Sequence, residues 1–91
     1  MNIIEVIISF QSDNRLFKYE HIIKGINESI AKDELKVGNQ LPSLNIMVKK
    51  LGYSSDTILK GYRKLEDMGL VESVKNKGYF IINNKDKVLS E

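Results

Sequence analysis

Hydroxyl and basic side chains near predicted helix starts and at one turn are the residues of this chain best suited to chemistry. Four hydroxyls stand where helices are predicted to begin, at Ser43, Ser54, Ser55 and Thr57. The N-terminus of a helix attracts an anion, because its backbone N–H groups are free and the helix dipole is positive there. Farther along, the segment Lys75-Asn76-Lys77-Gly78-Tyr79 places two lysines at a turn. The pattern indicates anion binding, although each hydroxyl can equally be an ordinary helix cap.

The charge of the chain is unevenly distributed. Its formal net charge is only +2, and residues 1–44 carry five Lys or Arg against six Asp or Glu. Residues 45–79, in contrast, carry seven basic against four acidic residues. The positive excess therefore falls on the part of the chain that holds the hydroxyls and the basic turn, as a surface for a polyanion requires. The alternative is a chance imbalance in a small lysine-rich domain.

The bulk composition limits the classes of function. With 91 residues the chain is expected to be one small domain. It has no cysteine, which excludes a disulfide framework and a thiolate metal site and suits the cytoplasm. The longest apolar run, Met1 to Phe10, is too short to span a bilayer and lacks the features of a signal peptide. We therefore expect a cytoplasmic protein without membrane attachment.

A catalytic or metal centre is not expected. His21 is the only histidine, and we predict it to lie on the surface of the first long helix. The predicted fold brings no two carboxylates together in a pocket, so acid–base chemistry lacks its groups. A metal ion would lack ligands for the same reason. The sequence therefore predicts no enzyme, no metal and no cofactor.

The spacing of apolar residues predicts the elements that position these groups. Apolar residues alternate through residues 2–10, which predicts an N-terminal strand or extended arm. From residue 18 to about 32 the apolar spacing is that of a helix. Two shorter helices are predicted at about 43–51 and 55–68, and because only Gly52-Tyr53-Ser54 separates them they must cross steeply.

A hairpin is predicted after Gly69, which ends the last of these helices. Its strands cover residues 71–74 and 79–82, and the basic turn joins them. Within the hairpin, Val71 and Phe80 are expected to face the core. The predicted fold class is mainly α with a small β hairpin, a winged helix-turn-helix with an N-terminal strand or arm.

The sequence divides into three parts. Residues 1–17 form the predicted strand or arm, residues 18–82 the winged helix domain, and residues 83–91 a polar linker or tail towards an effector domain that these 91 residues do not contain. Two roles for the arm are open. It either supplies part of a dimer contact or adds a strand to its own domain.

The order and spacing of many short fragments between residues 18 and 82 resemble the GntR family of bacterial transcription regulators. The matching residues are Tyr19, Ile22, Leu35, Gly38, Leu41-Pro42-Ser43, Leu51-Gly52, Ser54, Thr57, Ile58, Tyr62, Leu65, Glu66, Gly69-Leu70-Val71 and Lys77-Gly78-Tyr79-Phe80-Ile81. The resemblance implies a DNA-binding domain. The helix predicted at about 55–68 would lie in the major groove, and the hairpin, or wing, would lie on the adjacent backbone or minor groove.

The expected partners follow from the size of the domain. A monomer this small buries little DNA surface, so we expect a homodimer on an inverted-repeat operator in double-stranded DNA. In longer members of the family a further domain binds a small metabolite. A small-molecule effector would therefore act only through a domain that these 91 residues do not contain.

Individual residues divide between phosphate and base contacts. The four hydroxyls named above are expected at phosphates. Asn45, Asp56 and Lys60 are expected at base edges or in the groove, although Asp56 more readily stabilises the helix start. Other predicted contacts come from Arg63 on the helix and from Lys75, Lys77, Gly78 and Tyr79 on the wing. For Tyr79, stacking on a sugar and packing on the wing are both open.

The chain also departs from the family pattern. Asn45, Ser55 and Leu59 stand where the family commonly has arginine, and Asn76 replaces the first glycine of the wing. Because arginine pairs with guanine and asparagine with adenine, the departures change the expected base preference. They also raise an alternative function, a winged helix that has lost DNA reading and binds protein. The lysines and the arginine of the helix at about 55–68 and of the turn favour DNA binding over protein binding.

Overall fold

The computed structural model describes residues 3–83, which form four helices and one antiparallel hairpin. The elements are α1 (Ile3–Ser9), α2 (Lys18–Ala31), α3 (Leu44–Leu51), α4 (Ser55–Asp67), β1 (Val71–Val74) and β2 (Gly78–Ile81). The predicted bounds of the three longer helices and the hairpin agree with these to within a residue or so. Most of the predicted tail at 83–91 lies outside the described residues.

The N-terminal segment forms a helix, so the predicted strand or extended arm is wrong. α1 buries two consecutive residues, Val6 and Ile7, whereas Ile8 is 44% exposed. A strand would instead place consecutive side chains on opposite faces. The isoleucine-rich run satisfies both periods over seven residues, and packing against α2 and α3 decides between them.

Close approach of α1 to α2 depends on Gly25. The side chain of Ile7 is fully buried at this crossing. A Cβ atom on Gly25 would lie 2.5 Å from Ile7 Cγ1 and 3.0 Å from Ile7 Cα. The segment after α1 is tied down as well, because Gln11 Nε2 donates a hydrogen bond to the Leu51 carbonyl oxygen at 3.0 Å, at the end of α3. The first part of the chain is therefore packed on the winged helix.

His21 is buried, so its predicted surface position is wrong. Its side chain is 4% exposed and lies between the loop after α1 and the turn between α3 and α4. Nε2 is 3.1 Å from the Asp13 carbonyl oxygen, which can only accept, so the ring donates there. Nδ1 is 2.7 Å from the Tyr53 hydroxyl, and in the neutral ring that donates through Nε2 it accepts from this hydroxyl. The spacing of residues in α2 could not show this, because the groups that cover His21 come from two other segments.

The helix-turn-helix is fixed at its starts and its turn. Ser43 and Ser54 cap α3 and α4, accepting hydrogen bonds from the backbone N–H groups of Ile46 and Thr57, each at 3.2 Å. Gly52 ends α3 in the left-handed conformation with φ 75°. These features explain why both helices begin and end close to their predicted positions.

The hairpin pairs Val71 with Ile81 and Val74 with Gly78. Residues directly opposite each other share a face of the sheet, so Ile81 joins Val71 in the core, and both are 1% exposed. The prediction that Phe80 faces the core is therefore wrong. Its strand begins one residue earlier than predicted, at Gly78, and Phe80 lies opposite the exposed Glu72.

The segment before α3 runs beside the hairpin. Gly38 N–H donates to the Ile81 carbonyl oxygen, and Leu41 N–H donates to that of Tyr79, both at 2.8 Å. These bonds surround an isolated antiparallel bridge between Gln40 and Phe80. As a result, β2 has partners on both edges, and the wing is joined to the segment that leads into α3.

Substituting Gly25 tests the docking of α1. We expect Gly25→Ala to lower the free energy of unfolding by about 1–3 kcal/mol despite the higher helix propensity of alanine, because the added methyl group overlaps Ile7. Denaturant unfolding should show no such loss for Lys24→Ala, on an exposed position of the same helix. The cost should shrink in an Ile7→Ala background. A stabilised Gly25→Ala chain would contradict this account of the α1–α2 contact.

Candidate nucleic-acid interface

The outer face of α4 carries a row of polar and charged side chains. Asp56, Lys60 and Arg63 recur at spacings of four and three, which places them on one helix face, and all three are exposed. Together with the half-buried Leu59 they line a shallow surface groove. The opposite face is buried by Ile58, Tyr62 and Leu65. The structure thus brings together the predicted contacts on α4 and presents them to solvent.

The hydroxyls at the helix starts cap their helices in the free protein. Ser43 Oγ and Ser54 Oγ act there as acceptors, which leaves a hydroxyl proton to donate elsewhere. Ser54 Oγ is also 3.0 Å from Thr57 Oγ1, so one of these two protons is used within the pair and the other is free. Capping and donation to a phosphate oxygen are therefore compatible at α3 and α4, and Ser55 is exposed beside them.

Lys60 lies against an aromatic ring of α2. Its Nζ atom is 4.6 Å from the centroid of the Tyr19 ring. The Phe17 ring stacks on the Tyr19 ring, with centroids 6.0 Å apart. A cation–π contact at an exposed site contributes about 0.5–1 kcal/mol, so it directs Lys60 without fixing it. No local sequence pattern indicates this contact, because Lys60 and Tyr19 lie on different helices.

The wing presents two exposed lysines at a well-defined turn. Lys77 N–H donates to the Val74 carbonyl oxygen at 3.0 Å and closes the turn. Asn76 stands where the family has glycine and takes a positive φ of 65°, a conformation that asparagine adopts more readily than most residues. Gly78 has φ 121°. Both Lys75 and Lys77 are exposed.

Tyr79 packs inward from the wing. Its ring meets that of Tyr62 edge to face, with centroids 5.0 Å apart and an angle of 63° between the planes. The Tyr79 ring thus packs against α4, and its stacking on a sugar stays a prediction.

Tyr62 joins α4 to the start of α3. Its hydroxyl donates to the Pro42 carbonyl oxygen at 2.6 Å, and its side chain is 1% exposed. Burial raises the pKa of Tyr62 well above its ordinary value of 10.0, and neighbouring Tyr79 raises it further. The neutral hydroxyl is therefore the form that the fold requires.

The basic groups of α4 and the wing form no ion pair in residues 3–83. Across residues 3–83 the side-chain ion pairs are Arg15–Asp13 and Lys32–Glu28, both at 3.1 Å. Neither pair involves α4 or the wing. In the same part of the chain, no group of three or more His, Cys, Asp or Glu residues is placed to hold a metal ion, and no helix is long and apolar enough to cross a membrane.

Comparison with known families gives one match over most of the chain. Residues 18–81 match the family described as "Bacterial regulatory proteins, gntR family". The HTH-type transcriptional repressor YtrA of Bacillus subtilis is 32% identical over 73 residues, covering 80% of this chain and 56% of that protein. The Escherichia coli repressor MngR, of a mannosyl-D-glycerate transport and metabolism system, is 32% identical over 63 residues, covering 69% of this chain and 26% of that protein. The chain thus spans little more than half of the first and about a quarter of the second.

Solved structures show the same fold. YtrA of Sulfolobus acidocaldarius, a GntR-family transcription factor, superposes with a TM-score of 0.76 at 31% identity, covering 92% of this chain and 88% of that one. The DNA-binding domain of AraR in complex with operator ORX1 gives a TM-score of 0.69 at 29% identity, covering 72% and 80%. These neighbours confirm the predicted winged helix.

Removing the Tyr62 hydroxyl tests the link between α4 and α3. At about pH 8, Tyr62→Phe should lower the free energy of unfolding by roughly 1–2 kcal/mol, because the Pro42 carbonyl loses its donor. The raised pKa of Tyr62 predicts how this difference varies with pH. Above pH 10 the unfolded chain loses the proton while the folded chain keeps it, so the stability that this group supplies below pH 10 is lost as pH rises.

Denaturant unfolding of both proteins at about pH 8 and pH 11 measures that difference. We expect the wild-type advantage to shrink at the higher pH. Contributions that the two proteins share cancel in the comparison. An advantage that stays constant or grows would show that Tyr62 is not the buried neutral group described above.

Proposed function

Since the chain belongs to the GntR family of bacterial regulatory proteins and has its winged helix-turn-helix, we propose that it binds operator DNA with α4 in the major groove and the wing on the adjacent backbone or minor groove. The observation that carries the proposal is the set of exposed basic side chains on α4 and the wing without an ion pair in residues 3–83. Phosphates would supply the missing negative charge.

The wing tip and the start of α3 are close enough to meet one duplex. Lys77 and Ser43 line the same cleft, with Gly78 and Tyr79 on its wing side. A phosphate that accepts from the Ser43 hydroxyl at the N-terminus of α3 would therefore lie near the wing lysines. This arrangement supports a phosphate contact by Ser43, with Lys75 and Lys77 on the neighbouring backbone. We propose phosphate contacts by Ser54, Ser55 and Thr57 as well, at the start of α4.

Base reading would fall on fewer residues. Asn45, near the start of α3, and Asp56, near the start of α4, are both exposed. Asn45 would favour adenine where relatives with arginine favour guanine. Asp56 in the first turn stabilises the start of α4, and Lys60 would reach the groove by leaving the Tyr19 ring. Arg63 lies one turn farther along and suits the backbone.

The assembly follows from size and symmetry. One domain would cover a single half-site, so we propose a homodimer on an inverted-repeat operator. A small-molecule effector would bind outside residues 18–82, in a further domain of the regulator. Binding to the chromosome would place the protein in the cytoplasm.

A winged helix that binds protein is less well supported. Such a surface would be apolar at its centre. The corresponding faces of this chain carry Lys60, Arg63, Lys75 and Lys77, and Leu59 is half-buried. The operator complex of a related DNA-binding domain also favours DNA.

Fluorescence titration of a labelled duplex from the chain's own promoter, with a scrambled duplex for comparison, tests this function. If about six phosphates are neutralised, the affinity should fall roughly a thousandfold between about 50 and 200 mM salt. Lys75→Ala/Lys77→Ala should bind more weakly and with a shallower salt dependence, because about two fewer counterions are released per domain.

Lys24→Ala/Lys32→Ala is the matched control, because it removes the same charge from α2 and from the residue that follows it. It should keep most of the affinity and the salt slope. Equal losses in both variants would point to non-specific attraction by net charge. Absence of binding to either duplex would turn the choice to the protein-contact module.

A further inference from the structure

Gln40 contacts the wing tip from outside the hairpin. It lies in the connection between α2 and α3, yet its side-chain Nε2 donates to the carbonyl oxygen of Lys77 at 2.5 Å, thirty-seven positions along the chain. Its backbone forms the isolated bridge with Phe80. One residue therefore holds the second strand through its backbone and the turn through its side chain.

The wing tip has little other support. A two-stranded hairpin is only marginally stable on its own, and Lys75, Asn76 and Lys77 lie beyond the last strand pair, Val74 with Gly78. The bond from Lys77 N–H to Val74 closes the turn but does not relate it to the rest of the domain. The side-chain amide of Gln40 connects the turn to the segment before α3.

Both this contact and the turn favour glycine at position 78. Its φ of 121° is a conformation that other residues rarely adopt. A Cβ atom at this position would also lie 3.0 Å from Gln40 Nε2. A glycine therefore leaves space for the amide to reach the Lys77 carbonyl.

A chain of contacts connects the wing tip to α4. Tyr62 of α4 holds the Pro42 carbonyl, Pro42 lies two residues after Gln40, and the intervening Leu41 is 3% exposed. Gln40, Tyr62 and Lys77 also line one cleft. The position of the wing lysines relative to α4 is thus set through a short segment that is anchored at both ends.

We propose that Gln40 is a positioning residue, which holds the wing tip so that Lys75 and Lys77 meet the same duplex as α4. This role rests on the proposed DNA-binding function. Gln40 itself need not touch DNA. Because its hydrogen bond is exposed, the bond adds little to global stability, and its effect falls on the motion and placement of the tip.

Gln40→Met is the direct test, because methionine keeps the length of the side chain and removes the donor. Gln40→Asn keeps an amide but shortens its reach, and should behave in the same way. In the duplex titration we expect each variant to lose about three- to tenfold in affinity, the range for one lost hydrogen bond. The thermal midpoint of each should stay close to that of the wild type.

A double-mutant cycle separates positioning from direct contact. If Gln40 acts through the wing lysines, Gln40→Met should cost no further affinity in the Lys75→Ala/Lys77→Ala background. A full additional loss there would overturn the proposal, because it would mean that Gln40 acts independently of those lysines.

Nuclear magnetic resonance of the free 91-residue chain supplies a readout that does not need DNA. Order parameters of the amides of Asn76, Lys77 and Gly78 should fall in Gln40→Met. Gln11→Met is the matched control, because Gln11 also donates a side-chain amide to a backbone carbonyl, but at the end of α3. It should leave these order parameters unchanged.

The outcomes are distinguishable. If the wing of Gln40→Met is as ordered as that of the wild type, Gln40 does not hold the wing tip. If the wing is looser but the affinity is unchanged, Gln40 has no positioning role in DNA binding. If the wild type binds neither duplex, the proposed function fails and the positioning role fails with it, while the order parameters still report whether Gln40 holds the turn.

Discussion

The hydrogen bond from Tyr62 to the Pro42 carbonyl is the contact on which the relation of the other elements depends. Tyr62 belongs to α4, Pro42 precedes α3, and the Tyr62 ring packs against Tyr79 of β2. One buried side chain thus fixes the helix that faces solvent, the start of its partner and the base of the wing. Burial makes the constraint strict, because a buried polar group without a partner costs more than the bond contributes. A shift of any of these three elements would break a contact of Tyr62.

The N-terminal segment acts on the opposite side of the helix-turn-helix. Gln11 bonds the last carbonyl of α3, and His21 joins the Asp13 carbonyl to Tyr53 in the turn between α3 and α4. The family match begins at residue 18, whereas the superposition on YtrA of Sulfolobus acidocaldarius covers 92% of this chain and so extends into the N-terminal segment. This segment reaches the turn through polar contacts that are buried or partly buried. The crossing angle of α3 and α4 is consequently supported from both ends, by Tyr62 at the start of α3 and by this network at its end.

Periodicity and caps were enough to predict α2, α3 and α4, because these helices are long or bounded by Ser43, Ser54 and Gly52. The failures at α1 and His21 share a cause, which is contact between segments far apart in sequence. The seven residues of α1 fit two periods, and packing on α2, where Gly25 allows close approach, and on α3 selects the helical one. His21 is covered by two other segments, and Phe80 was displaced by a one-residue change in where β2 begins. For the candidate interface, the basic residues and the helix caps could be predicted from the sequence. The contacts of Lys60 with Tyr19 and of Gln40 with Lys77 could not, because each joins residues far apart in the chain.

The polar and charged groups of the candidate interface can still bind a partner. Ser43 and Ser54 accept hydrogen bonds inside the fold, and Ser43 and one member of the Ser54–Thr57 pair keep a proton to donate. The lysines and the arginine of the interface have no acidic partner in the described residues. Elsewhere in residues 3–83, two basic residues are ion-paired, Lys32 with Glu28 and Arg15 with Asp13. Unpaired like charges repel and lower the stability of a compact domain, so their placement on two adjacent elements has a cost. A polyanion removes that cost, and the rigid contacts of Tyr62 and Gln40 decide where along it each charge falls.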